Sequence, residues 1–175
     1  MGISKAADLY YTYRFIKTLI TPWKDMEAFD LGIIDEKGNN LIKTRDLNTN
    51  DQKDAFTTFH RLVFNIKRIM EKVPFGKSRI ASYAAALYLL REDTGMSEES
   101  IMKALEELGC DTSDLLIIED AQGDLELKQY ILSDTIDEDH PKGSIITLEN
   151  IVDTFAGIPI YNTTEGIFVT SSNIS

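Results

Sequence analysis

A single cysteine, Cys110, stands in a chain of 175 residues, so no internal disulfide can form. Only two histidines are present, His60 and His140, and with one cysteine they cannot assemble a zinc site of Cys and His ligands. The usual hydrolase routes are also unprovided for, because the chain has no G-x-S-x-G nucleophile elbow and few candidate bases. No run approaches the ~18 consecutive apolar residues of a membrane span. The start, Met1-Gly2-Ile3-Ser4-Lys5, lacks the apolar core of a secretory signal, so export by that route is not expected. Gly76-Lys77-Ser78 resembles the end of a phosphate-binding loop, but Glu71 stands where that loop needs its first glycine. Asp134, Asp137, Glu138 and Asp139 form an acidic cluster without the spacing or central glycine of an EF-hand. These absences lead to the expectation of a protein that is not an enzyme and carries no cofactor and no metal.

What is present is enough apolar material for a core and a lopsided charge. The chain is 43% hydrophobic and 27% charged, which excludes a disordered polypeptide. Through Glu92 there are 15 Lys+Arg against 11 Asp+Glu, a net of +4; from Asp93 onward there are 3 against 18, a net of −15. Such asymmetry suggests two units with different partners. The acidic unit should repel nucleic acid and anionic membrane.

Periodicity predicts helices first and strands later. Ala6 to Thr21 places Leu9, Tyr13, Ile16 and Ile20 at helical spacing, with Tyr10 and Phe15 widening the stripe, and Pro22 ends the segment. A short helix over Trp23 to Leu31 would close at Gly32, and Ile33 to Ile42 reads as a small hairpin or two extended segments. The strongest helix is predicted from Asn50 to Val73, opened by a capping box between Thr49 and Gln52. Phe56, Phe59, Leu62, Val63, Ile66, Ile69, Met70 and Val73 make its apolar face, opposite a stripe of Arg61, Arg68 and Lys72. Next, Arg79 to Arg91, with Ala81, Ala84, Ala85 and Ala86, is expected to be the central, most buried helix. Ser97 caps a further helix that Gly109 closes. Beyond Cys110 short β-type runs take over at 115–118, 125–132, 144–148 and 167–170. A terminal hairpin is expected from Ile158 through Gly166, with Pro159 at an edge or strand start. Ser133 to His140 reads as an exposed acidic loop. The expected fold is α+β: a helical domain over 1–109, a linker over 110–124, and a small SH3-like or partly closed β-barrel over 125–175.

Two groups of residues are candidates for partner binding. Tyr10, Tyr13 and Trp23 belong to a run of aromatics that surrounds more of the first helix than one core-facing stripe needs. That helix is either buried on two sides within its own fold or supplies an interface, where aromatics are enriched. Arg61, Arg68 and Lys72 form an electrostatic dock, within a cluster that also holds Lys67, Lys77 and Arg79. Its candidate partners are an acidic protein, including the acidic half of another copy, and secondarily a nucleic-acid backbone.

Thr21-Pro22-Trp23, Ala28-Phe29-Asp30-Leu31-Gly32-Ile33-Ile34-Asp35, the run from Phe59 to Arg68, and Val73-Pro74-Phe75-Gly76-Lys77-Ser78-Arg79-Ile80-Ala81-Ser82-Tyr83-Ala84-Ala85-Ala86-Leu87 resemble a family of small virion structural proteins of tailed bacteriophages. The resemblance covers about residues 9–92, and Gly157 to Tyr161 with Ile167 to Thr170 is similar to the family's closing β-segment. The chain departs from the family at Phe75, where a second glycine is common. The resemblance implies a component of the particle or its assembly pathway: head interior, capsid-associated, or at the head–tail junction. It would be located in the virion, and in the host cytoplasm during assembly. Other virion proteins, and the chain itself, would be its partners, and no catalytic residues carry over. The alternative is a phage-encoded regulatory protein that binds nucleic acid or a host enzyme.

Overall fold

The computed structural model describes residues 5–72, 80–110 and 125–175. Helix α1 spans Lys5–Ile20, and a 3-10 turn, Trp23–Asp25, and a single-turn helix α2, Glu27–Asp30, follow it. A second 3-10 turn, Thr44–Asp46, precedes α3, Asn50–Ala55, and α4, Thr58–Lys72; α5 is Ile80–Thr94 and α6 is Glu98–Glu107. The predicted hairpin at Ile33 to Ile42 is reduced to one isolated bridge, Ile34 with Asn40. Four strands follow: β1, Gln129–Ile131; β2, Ile145–Phe155; β3, Ile158–Thr163; and β4, Phe168–Val169. They form an antiparallel sheet in the order β1-β2-β3-β4, so the fold is α+β, with N-terminal helices and a C-terminal half-barrel.

α5 lies at the centre. Tyr83, Ala84, Ala85, Ala86 and Leu87 are five consecutive buried residues, which a helix can manage only when neighbours cover most of its circumference. α4 packs on one side, and β2, β3, β4 and a terminal 3-10 turn, Ser171–Asn173, on the other. The alanines allow these backbones close approach, as the sequence indicated. Phe155, Ile158 and Ile160 of the sheet therefore join Phe15, Phe59, Val63, Ile66 and Leu87 of the helices in one core. Arg91 at the end of α5 pins the arrangement: it pairs with Glu98 of α6 and Asp153 of β2, each at 2.9 Å. Glu98 also accepts a hydrogen bond from Ala156 N at 2.8 Å.

The sheet exceeds its sequence pattern. β2 runs to Phe155 rather than stopping near Leu148, bending through irregularities in its pairing with β3. Ala156 (φ 50) and Gly157 (φ 80) join β2 to β3; positive φ at both central residues is the hairpin geometry that matches strand twist. Pro159 is the second residue of β3, below the stretch where β4 pairs, in keeping with its missing N–H. On the other edge Ser175 exchanges backbone hydrogen bonds with Ile131, at 2.9 and 3.1 Å, which partly closes the sheet. Leu132, Ile146, Leu148, Tyr161, Ile167 and Val169 fill the concave side. The acidic loop is exposed but anchored: Thr44 N donates to Glu138 at 3.0 Å, and Lys43 and Arg45 pair with Asp139. The run at 115–118, the linker beyond Cys110, and the interhelical turn with Lys77 and Arg79 lie outside the described residues.

The single helix predicted from Asn50 to Val73 is two helices. The Thr49–Gln52 capping box opens α3 as expected, but the chain leaves helical geometry at Phe56 (φ −140, ψ 62). Thr57 then caps α4 with an unexpected partner. Its N–H donates to His60 Nδ1 at 3.2 Å, while His60 N donates to Thr57 Oγ1 at 3.4 Å. Histidine thus takes the place of the usual Glu or Gln of a capping box. For Nδ1 to accept, the ring must be neutral with its proton on Nε2. Burial, reinforced by the nearby Arg14 cation, lowers the His60 pKa from its ordinary 6.5 to about 4. The folded value lies below the unfolded one, so this contribution is complete above pH ~6.5 and is lost as pH falls toward ~4, a loss of roughly 2–3 kcal/mol. Urea unfolding at pH 7 and near pH 4.5 measures it. His60→Gln keeps the reciprocal cap, as at Thr49–Gln52, and removes the titration; its stability is expected to fall less over this interval than that of the wild type.

Candidate functional site

Leu9, Tyr13 and Ile20 of the predicted stripe on α1 face outward, while Ile16 of the same stripe packs against the core. The buried face is instead Phe15 and Leu19, with Tyr11 beside them, packed toward α4 and α6. Leu9 (69% exposed), Tyr13 (64%) and Ile20 (63%) lie along the opposite face, with Tyr10 (56%) on its flank. Both stripes recur at helical spacing. Asp8 lies on the inner side, where it turns toward α6 and accepts hydrogen bonds from Ser97 N at 3.1 Å and Ser100 Oγ at 2.9 Å. A carboxylate at the N-terminal turn of α6 is favourably placed against the helix dipole. Asp8 is the only acidic residue of α1, so the outward face is apolar and cationic. Lys17 lies 5.9 Å from the Tyr13 ring centroid, and Arg14 covers the Phe59 ring at 4.5 Å and Tyr10 at 5.6 Å. A shallow cavity of about 450 Å³ between α1 and the α2–α4 side is lined by Tyr10, Tyr13, Lys17 and His60 among others.

Trp23 is not on this surface, contrary to its expected role as an aromatic anchor. It is 6% exposed and belongs to a second core with Met26, Ile33, Ile34, Phe56 and Phe64. The indole meets Phe64 edge-on, at 5.3 Å between ring centroids and 86° between planes. Its Nε1 donates to Glu71 at 2.9 Å. Gly38, with φ +80, lies flat against the ring, where an added Cβ would fall 2.5 Å from Trp23 Cε2.

The basic stripe is likewise not a free dock. Arg68 reaches inward and donates from Nη1 to Gly38 O at 2.7 Å. Burial lowers its pKa against the opposing pull of Asp35 and Glu71. Lys67 is buried, donating to Leu19 O at 2.8 Å, pairing with Glu71 at 3.4 Å, and lying 5.1 Å from the Trp23 ring. Arg61 is bonded to Thr58 Oγ1 at 2.9 Å, and the side chain of Lys72 lies outside the described residues. The structure thus brings Tyr10 and Tyr13 together on one surface and separates them from Trp23 and Arg68, which serve the interior. Leu9 and Ile20 share the exposed surface but were not among the residues the sequence marked for partner binding; the signal was there, in a helix with apolar residues on two faces.

A larger cleft, about 1140 Å³, separates α4 and α5 from the half-barrel and is spanned by the acidic loop. Arg61, Asn65 and Arg68 stand on one side of it, and Asp134 to Asp139 on the other. Thr57 and His60 are a hydroxyl and a neutral imidazole at 2.8 Å, but their bonds to one another's backbone make them a helix cap. Among the described residues no group of three or more His, Cys, Asp or Glu side chains is placed to hold a metal ion. None of the described helices is long and apolar enough to cross a membrane. Family models, curated proteins and solved structures give no match to the chain.

The interior placement of Trp23 has a direct test. Gly38→Ala forces a Cβ into the indole ring at a backbone conformation unfavourable for alanine, and is expected to cost roughly 2–4 kcal/mol. Trp23 is the only tryptophan, so intrinsic fluorescence reports on this slot alone. The variant should melt earlier and its native emission should shift to the red; an unchanged spectrum and melting temperature would place the indole elsewhere.

Proposed function

We propose that this chain is a non-enzymatic structural or assembly component of a tailed-phage particle that works through protein–protein interfaces. The observation that carries the reading is the outward face of α1, where Leu9, Tyr13 and Ile20 are each more than 60% exposed. Removing a large apolar side chain from water is worth about 1.5–3 kcal/mol. Three on one rigid helix therefore offer a partner several kcal/mol that the fold itself does not use. Contiguous exposed apolar surface of this kind marks interaction sites. The sequence resemblance of about residues 9–92 to virion structural proteins supports the setting, and it spans most of this helix. Head interior, capsid-associated and head–tail junction are the candidate positions, with other virion proteins and the chain itself as partners.

The reading requires the chain to be present in purified particles at a fixed copy number. Leu9→Gln, Tyr13→Gln and Ile20→Gln together keep the helix propensity of α1 and remove its apolar face. With far-UV circular dichroism and melting unchanged, incorporation into particles is expected to fall roughly tenfold or more. A wild-type chain found only in infected lysate, and never in particles, would overturn the reading in favour of a regulatory protein acting on nucleic acid or a host enzyme.

A further inference from the structure

Seven of the ten large apolar side chains exposed among the described residues fall in two patches. Four are on α1: Leu9, Tyr10, Tyr13 and Ile20. The other three belong to the half-barrel unit: Ile131 (50% exposed) and Ile145 (63%) on β1 and β2, and Leu127 (59%) in the segment just before β1. Ile131 and Ile145 are direct cross-strand partners in β1 and β2. Their neighbours Leu132 and Ile146 point into the concave core, so the alternation of the strands places Ile131 and Ile145 together on the outer face. This pair has no protein cover among the described residues.

The two patches differ in the charge around them. α1 presents Lys17 beside Tyr13, with Arg14 on its flank, and its one carboxylate is turned away to α6. The outer sheet face continues through Thr147 to the exposed Glu149, and Glu165 lies against it, accepting a hydrogen bond from Thr147 N at 2.9 Å. Residues 125–175, which contain this sheet, hold 8 Asp+Glu against 2 Lys, Lys128 and Lys142, a net of −6. Pairing two α1 faces would bring the Arg14 and Lys17 cations of both copies together, whereas the sheet offers an apolar surface with charge of the opposite sign.

We infer that the outward face of α1 in one copy of this chain seats on the outer β1–β2 face of the next copy, around Ile131 and Ile145. The inference rests on the proposed reading of α1 as an interface and names its partner as a second copy. Because the two surfaces are different, the contact is head-to-tail, and its repetition builds a ring or a filament rather than a closed dimer.

Sedimentation of the purified full chain tests this with two variants, each disabling one face. The α1 variant is Leu9→Gln with Tyr13→Gln; the sheet variant is Ile131→Thr with Ile145→Thr, which keeps β-branched residues in the strands. Circular dichroism and melting establish that both are folded. The wild type is expected to assemble beyond a dimer with rising concentration, about tenfold less tightly at ~0.5 M than at ~0.05 M salt. Each variant alone is expected to be a monomer, and an equimolar mixture to form a dimer containing one of each, since one intact face of each kind remains. A sheet variant that still dimerises would show α1 pairing with α1 and overturn the inference. A mixture that stays monomeric, or a wild type that never associates, would do the same. Copy number in particles is read separately: a monomeric chain that is still incorporated leaves the proposed function standing without this contact, and an assembling chain absent from particles does the reverse.

Discussion

A helix that is apolar around its circumference has to be enclosed, and α5 imposes this on the whole chain. Its run from Tyr83 to Leu87 leaves no side for solvent, so a single layer of helices cannot satisfy it. The half-barrel supplies the second layer: Phe155, Ile158 and Ile160 close over α5 from the side opposite α4. The β-rich C-terminal part is thereby tied to the helical part through a common interior, with Arg91 bridging α6 and β2 at the rim. Small side chains on α5 let both layers approach, and the same smallness leaves the bulk of the packing to the aromatics of its neighbours.

The N-terminal segment depends on a different constraint, the slot around Trp23. Lys67, Arg68 and Glu71 of α4 all bond into it; Glu71 stays about half exposed, whereas Lys67 is buried, and a charged group leaves water only where it finds partners. Lys67 has a carbonyl, a carboxylate and an indole face; Arg68 has the Gly38 carbonyl. These bonds cross from α4 to the end of α1 and to the turn at Gly38, so they fix the direction in which α1 leaves the core. The outward face of α1 is presented by a rigid base, which lowers the ordering cost of any contact it makes.

The parts of this fold that were legible in the sequence are those decided locally. The Thr49–Gln52 cap, the Ser97 cap of α6 and the central place of α5 follow from side chains within a few residues, and they stand as read. What was not legible depends on partners distant in the chain. Arg68 looks like a solvent-facing cation until Gly38, thirty residues away, is folded against it. Trp23 looks like an anchor until Gly38 and Glu71 enclose it. Of the two stripes on α1, the inner one, Phe15 and Leu19, meets α4 and α6, and Asp8 on that side bonds to Ser97 and Ser100 at the N-terminus of α6, partners about ninety residues on. The break between α3 and α4 was hidden for another reason: a Thr57–His60 cap uses a residue seldom read as a capping partner, and the apolar period continues across it. The Ala156–Gly157 turn likewise lacks the Asn-Gly or Asp-Gly that marks such a hairpin from sequence.

The charge asymmetry is only partly satisfied within the chain. Thr44 N, Lys43 and Arg45 meet Glu138 and Asp139, and Arg91 meets Glu98 and Asp153, so the basic and acidic halves already touch at two places. Lys67 and Arg68 are engaged in the Trp23 slot, which removes them from any count of available cations. Arg14 and Lys17 on α1 are cations beside its exposed apolar surface, and residues 125–175 keep a surplus of carboxylates over Lys128 and Lys142. A monomer gains nothing from keeping apolar residues on both the cationic helix and the acidic sheet, since each exposes area to water at about 25 cal/mol per Å². The arrangement has a physical rationale when each face covers the other. Within one chain Leu9, Tyr13 and Ile20 and the Ile131–Ile145 pair all remain exposed, so neither face covers the other.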